Sequence, residues 1–326
     1  MANLLFKDQP GSWRTGSDFP NISLTRVSWD TAPNVAVAYV FFGHVNIDFD
    51  GSPTAYGPPG INPEPDDDLE NAFNQAQGWF GVVAFSDSDP LVKNGTVKID
   101  KRPQFLHKGK FPVVQQAKNG DPNPGFFVSA TPHPTGPVHL QNSYIDASRV
   151  SYGALSGGLQ SLGVRLGDCT LAIRHDDQRQ SGFFFADAGA NNHALGECSH
   201  HVGTNLGGTG RASHFNNNFP VSFIVFPRSA GTKAAGASRS DDEIKATLKP
   251  LVRQLSRADN ADELPLLMGF NEVGPPTRPQ GMRKLETYRA ARWTPRPRNY
   301  DTILAGLKAF GWTPLYTPTY LMSIKP

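Results

Sequence analysis

The stretch "CTLAIRHDDQRQSGFFFADAG", residues 169–189, decides how the chain is read. Its two apolar runs, "CTLAIR" (169–174) and "SGFFFAD" (181–187), are short, β-branched or aromatic, and separated by polar residues, which is the pattern of strands. Similar runs occur at "VAVAYVFF" (35–42), "WFGVVAF" (79–85), "GFFVSA" (125–130) and "PVSFIVF" (220–226), each flanked by Gly, Pro, Asn or Asp. Such pieces, joined by long connections, predict a mainly β (α+β) fold: a closed or nearly closed β-barrel with long loops, not an alternating βα array. The 32 glycines and 28 prolines agree with many turns and short strands.

Outside that region the character changes. Residues 1–34 read as an N-terminal extension, 35–231 as the main domain, and 232–326 as a helical, Pro/Arg-rich C-terminal appendage. "SDDEIKATLKPLVRQL" opens with Ser240 and Glu243 at capping-box spacing, and Ile244, Leu248, Leu251, Val252 and Leu255 share one face, so a helix is expected, kinked by Pro250. Residues 271–298 are rich in proline and arginine, and "YDTILAGLKAFG" (300–311) predicts a second helix stopped by Gly311.

Charge narrows the function. Only 18% of residues are charged and the formal net charge is +2, which argues against a nucleic-acid binder. No run reaches membrane-spanning length, and the N-terminus has too short an apolar stretch for a signal peptide, so synthesis in the cytoplasm is expected. Cys169 and Cys198 permit one disulfide or two buried thiols.

The chemistry-bearing pair is Asp187, which ends the greasy run, and Glu197, behind a glycine ten positions later. Glycosidic hydrolysis needs a proton donor to the leaving oxygen and a second carboxylate across the sugar, and these two acids would supply both. Asp48 and Asp50 in "DFDGSP" alternate along the chain, so they would share a strand face and line a subsite for a cationic sugar; a turn in which Asp50 bonds its own backbone is the competing expectation. Tyr56, Trp79, Phe80 and Tyr152 are candidate platforms for sugar rings, Trp79 foremost, although most large aromatics in strands belong to the core. A zinc site is the rival chemistry, from His193, His200, His201, His214, Cys198 and Glu197, with Glu197 and His201 one helical turn apart if 197–201 is helical.

Several stretches occur in the order seen in one family: "NIDFDGSPTAYGPPG" (46–60), "DDLENAF" (67–73), "GWFGVVAF" (78–85), "DPNPGFFVSAT" (121–131), "YIDASRVSYGAL" (144–155), "FFADAG" (184–189), "GECS" (196–199) and "VSFIVFP" (221–227). Over roughly residues 40–230 the chain resembles glycoside hydrolase family 75, the chitosanases and their bacterial relatives. The resemblance implies a barrel of the double-psi kind and an inverting endo-hydrolase of β-1,4-linked amino-sugar polymers. It implies Asp187 and Glu197 as the catalytic pair, with Glu197 as acid and Asp187 as base, or the reverse. Ser199 of "GECS" and His201 join Asp48, Asp50, Tyr56 and Trp79 as expected substrate-binding residues; no metal or other cofactor is expected. Cys198 within that motif, and His200 and His201 after it, depart from the family's pattern.

The expected partner is an amino-sugar polysaccharide. Chitosan is polycationic and suits an acidic cleft, whereas peptidoglycan carries carboxylates, and the sequence pI near 8.5 leans toward the latter. A peptidoglycan-cleaving, muramidase-like antibacterial effector or phage lysin is therefore the alternative enzyme, acting outside the cytoplasm and accompanied by an immunity or delivery protein. A non-catalytic carbohydrate-binding or structural protein is the alternative without turnover.

Overall fold

The computed structural model describes residues 2–15, 19–189, 194–211, 215–216, 219–234, 236–269 and 299–314. Its centre is a nine-stranded mixed sheet, in the order β1 (Leu4–Asp8), β4 (Leu24–Trp29), β5 (Ala32–Gly43), β17 (Val221–Phe226), β13 (Cys169–Arg174), β14 (Gln180–Ala188), β12 (Tyr152–Leu155), β16 (Glu197–Ser199) and β6 (Asn46–Asp48). Pairing is antiparallel from β1 to β14, parallel between β14 and β12, antiparallel between β12 and β16, and parallel again between β16 and β6.

The apolar runs are continuous rather than alternating because the sheet is buried on both faces. Leu171, Ile173, Phe184 and Ile224 point to one face, where they meet Ile244, Leu248 and Val252 of the helix Asp241–Leu255 and Ile303 and Leu307 of the helix Tyr300–Ala309. Ala172, Phe183, Phe185 and Phe223 point to the other, against Tyr39, Phe41, Leu155 and Val202. Covering by helices removes the need for closure, and this corrects the expected barrel: β1 and β6 are the two ends of an open sheet. Four of the six runs form β5, β13, β14 and β17. "WFGVVAF" yields only the two-residue strands β8 (Gly78–Trp79) and β9 (Ala84–Phe85), and "GFFVSA" only isolated bridges such as Val82 to Ser129.

Both flanking segments join this core. Leu4, Phe6 and Val27 pack with the C-terminal helices, and the Asn260 side chain accepts from the Leu4 N–H at 2.7 Å and donates to its carbonyl at 2.9 Å. The helix Asp241–Leu255 begins with a complete Ser240/Glu243 capping box and runs through Pro250. Residues 271–298 lie outside the described residues.

Smaller sheets frame the rest. β15 (Ala194–Leu195), β2 (Trp13–Thr15) and β3 (Phe19–Ile22) form one; β10 (Lys98–Ile99), β11 (Phe111–Val114) and β9 form another; β7 (Phe73–Asn74) pairs with β8. The segment from Phe49 to Phe127 has its own small core of Phe49, Tyr56, Val82, Phe105 and Phe127. This lobe stands beside the β6 end of the main sheet and supplies one wall of the cleft.

Candidate active site

Three strands at one end of the sheet each deliver an acid. Asp48 is the last residue of β6, Glu197 the first of β16, and Asp187 lies near the end of β14. β6 and β16 run parallel, with Asp48 opposite Ser199 and Asn46 opposite Glu197. Cys198 faces the core, so the alternation of the strand turns Glu197 the other way. Between β12 and β14 the register steps from Phe185 directly to Asp187, which leaves Ala186 unpaired. Such a bulge re-aims the side chain that follows it.

The turn after β6 brings in a fourth acid. The Asp50 N–H donates to Asp48 Oδ1 at 2.7 Å, and the Tyr152 hydroxyl donates to the Asp50 carbonyl. Gly51 occupies φ +84°, and a Cβ there would run into the Ile145 carbonyl, so the turn requires glycine. Gly81 lies over the acid: a Cβ there would sit 2.6 Å from Asp50 Oδ1. Both expectations for "DFDG" are corrected: β6 ends at Asp48, so Asp50 lies in the turn rather than on a shared strand face, and it is the Asp48 side chain, not that of Asp50, that accepts from the turn's backbone, while both acids line the cleft.

Asp48, Asp50, Asp187 and Glu197 line one open cleft of about 890 Å³. The opposite wall is polar, with Asp67, Asn71, Asn74 and Gln77, and Phe80 stands there 49% exposed. Among the described residues, no lysine, arginine or histidine lines it. Glu197 is partly exposed, while Asp48 and Asp187 are 8% and 7% exposed. A Cβ on Gly189, two residues past Asp187, would lie 3.3 Å from Glu197 Oε2, which sets the Glu197 carboxyl against the end of β14.

Burial among like charges dominates the electrostatics. Loss of water raises Asp48 to about 6, opposed by hydrogen bonds from the Asp50 N–H and from Asp187. Glu197 is pushed up to about 7, by burial first and then by the Asp48 charge. Asp50 and Asp187 are both raised well above the ordinary range by burial and by Asp48. The Tyr56 hydroxyl lies 2.8 Å from Asp50 Oδ1 and 3.3 Å from Asp67 Oδ2. One phenolic hydrogen cannot serve two carboxylates, which agrees with a proton retained in this cluster.

One oxygen each of Asp48, Asp50 and Asp187 falls within 4.8 Å of the others. Ligand atoms around a hard divalent cation have similar separations, so these three are the residues that would hold one. The zinc arrangement expected around Glu197 and His201 does not form. Residues 197–199 are strand and the helix begins at His200, so the two are not one helical turn apart. His193 and His214 lie outside the described residues. Cys169 and Cys198 are free, buried thiols.

The other expected binding residues have different surroundings. Tyr56 lines the cleft but is only 2% exposed, and its hydroxyl is engaged with Asp50 and Asp67. Trp79 packs on Phe73 and His107, its indole N–H donating to the Lys110 carbonyl at 3.3 Å; Phe80, its neighbour, faces the cleft. Ser199 is fully buried, accepting from the Tyr152 N–H at 3.2 Å and donating to the Val150 carbonyl at 2.7 Å. His201 is 3.2 Å from Asp241 Oδ2 and is not among the cleft-lining residues. Asp67 and Asn71 lie in the quoted "DDLENAF" stretch but were not singled out, and Asn74 and Gln77 carried no signal in the sequence. Compared with known proteins, the chain matches no family model and no curated protein.

Proposed function

We propose that the protein is an endo-acting, inverting glycoside hydrolase that cleaves β-1,4 bonds of an amino-sugar polymer of the chitosan type. The observation that carries the reading is the meeting of Asp187 and Glu197 in one open cleft, with Glu197 held near 7. At neutral pH a large share of Glu197 keeps its proton and, being partly exposed, presents it to the glycosidic oxygen. Asp187, on the more buried side, takes a proton from the water that attacks the anomeric carbon in those molecules where it is ionised, a fraction that its raised pKa makes small but in which its basicity is correspondingly high. The C–O bond breaks as the new one forms, and the product has the opposite anomeric configuration.

The sign of the cleft favours a cationic glycan. Its charged lining residues, Asp48, Asp50, Asp67, Asp187 and Glu197, are all acids, which attract glucosamine and repel the carboxylates of peptidoglycan. The local charge outweighs the chain's slight positive total because a ligand in the cleft lies within a Debye length of the acids. Such a polymer lies outside the cytoplasm, so the protein would act there after secretion or delivery.

Incubation with chitosan oligomers and, separately, with purified peptidoglycan, followed by mass spectrometry of new reducing ends, tests this. Cleavage of chitosan, lost by 10²-fold or more in Glu197→Gln, is expected. Cleavage of peptidoglycan alone would shift the assignment to a wall-directed muramidase, and activity undiminished in Glu197→Gln would remove the pair from the chemistry.

A further inference from the structure

We propose that Asp67 is a specificity-determining residue that accepts hydrogen bonds from the 2-ammonium group of a glucosamine unit, while Phe80 beside it packs on the face of the same ring. The inference rests on the glycosidase reading and deepens it by naming the group that tells a free amine from an acetylated one.

The cleft wall opposite the catalytic pair is one continuous segment. The turn Leu69–Ala72 follows Asp67, and the hairpin of β7 and β8 ends at Trp79. The Phe80 N–H then donates to the Ala72 carbonyl at 2.9 Å, and the Gly81 N–H donates to the same oxygen at 3.2 Å. Asn71, one residue before that carbonyl, donates through Nδ2 to Asp67 Oδ1 at 2.8 Å. Asp67 and Phe80 are thus tied to adjacent residues of one turn, and both line the cleft. Gly81 lies against Asp50 Oδ1, which the Tyr56 hydroxyl also reaches, so this wall adjoins the acids.

The two oxygens of Asp67 are unequally supplied. Oδ1 accepts from the Asp68 N–H and from Asn71 Nδ2, both at 2.8 Å. Oδ2 has the Tyr56 hydroxyl at 3.3 Å, and that hydroxyl lies nearer to Asp50 Oδ1, at 2.8 Å. A single phenolic hydrogen aimed at Asp50 leaves Asp67 Oδ2 the weaker share. An ammonium group brings three hydrogens and a positive charge, and its bond to a carboxylate is of the strong, charge-assisted kind. An acetamido nitrogen brings one hydrogen and no charge, so it gains far less. Burial raises the Asp67 carboxyl, and the bonds from Asn71 and Asp68 lower it. A cation at Oδ2 works with those bonds and keeps the acid ionised while the sugar is held.

Phe80 supplies the complement. At 49% exposure it is the most exposed large apolar side chain among the described residues, yet it lines a cleft. A sugar ring presents C–H bonds on its face, and laying them over an aromatic ring removes apolar area from water. That contact is blind to the amine, so Phe80 holds the ring and Asp67 reads its substituent.

Calorimetric titration with a glucosamine tetramer, and with its fully N-acetylated counterpart, tests this on Glu197→Gln protein, which leaves the oligomers intact. The glucosamine tetramer should bind more tightly. Asp67→Asn keeps the size and the Oδ1 acceptor but removes the charge. It should weaken the glucosamine tetramer about 10-fold or more and alter the acetylated one by less than about 2-fold. Phe80→Ala should weaken both alike. A preference that survives in Asp67→Asn, equal losses on the two oligomers, or no binding of either would overturn the proposal. Should Asp67→Asn fail to fold, a crystal structure of Glu197→Gln with the glucosamine tetramer decides: a 2-nitrogen within hydrogen-bond distance of Asp67 upholds the subsite, and none there removes it.

Hydrolase and subsite can fail separately. A preference abolished by Asp67→Asn, in a protein whose wild type cleaves no glycan, would remove the hydrolase and keep the subsite. Cleavage of chitosan with no such dependence on Asp67 would keep the hydrolase and remove the subsite.

Discussion

On the proposed reading, Glu197 sits where catalysis and stability pull in opposite directions. Its ordinary value is 4.5, and burial beside Asp48 raises it to about 7 in the folded protein. Below 4.5 the carboxyl is protonated in both folded and unfolded chains and costs folding nothing. Between 4.5 and about 7 the unfolded chain releases the proton first, so stability falls as pH rises, by at most roughly 3 kcal/mol. Glu197→Gln should therefore raise Tm near pH 8 and leave it almost unchanged near pH 4, as thermal unfolding at the two pH values would show. Equal effects at both would contradict the burial assigned to this group. At this scale the sequence was legible where a residue type carries chemistry by itself: Asp187 and Glu197 were singled out, and both line the cleft. It was less legible where neighbours compete for one position, and the preference for Trp79 over Phe80 is corrected. Trp79 and Phe80 are adjacent aromatics, and only the local turn decides that Phe80 faces the cleft while Trp79 packs inward.

At the scale of elements, the helix Asp241–Leu255 does most to keep the open sheet covered. Ile244, Leu248 and Val252 are fully buried against it. Leu248→Ala leaves a void over β14, where Leu248 lies so near Gly182 that a Cβ there would be 2.7 Å from it. A loss of 2–5 kcal/mol is expected, measured by denaturant unfolding, and a loss below about 1 kcal/mol would mean the helix is not an integral layer. This helix was readable from its Ser240/Glu243 spacing and its apolar face, because both signals are local. The central strands were readable for the same reason. Strands β6 and β16, three residues each, were not, since so short a strand exists only through its partners. The acids they position were visible without the strands that hold them.

For the whole molecule, the error about closure is informative. A count of apolar runs reports how many strands there are but not what lies on their faces, and here helices from the C-terminal third cover one of them. Charge shows the same separation of scales: a formal net charge of +2 and a pI near 8.5 coexist with a cleft whose charged lining is entirely acidic. If that cleft selects a polycation, raising the salt from about 0.1 M to 1 M, which shortens the Debye length from about 10 Å to 3 Å, should raise KM on chitosan oligomers several-fold. Steady-state kinetics across that range check it, and an unchanged KM would mean that contacts other than charge hold the substrate.

The four acids lie at the end of a sheet that does not curl back on itself. The mouth of a barrel has a rim all the way round, and a polymer enters it most easily by a free tip. A cleft at the margin of an open sheet has no such rim, so on the proposed reading a long molecule could be laid across it anywhere along its length. If the protein is the hydrolase proposed above, solutions of such a polymer would thin out early, while most of the cuts were still to come.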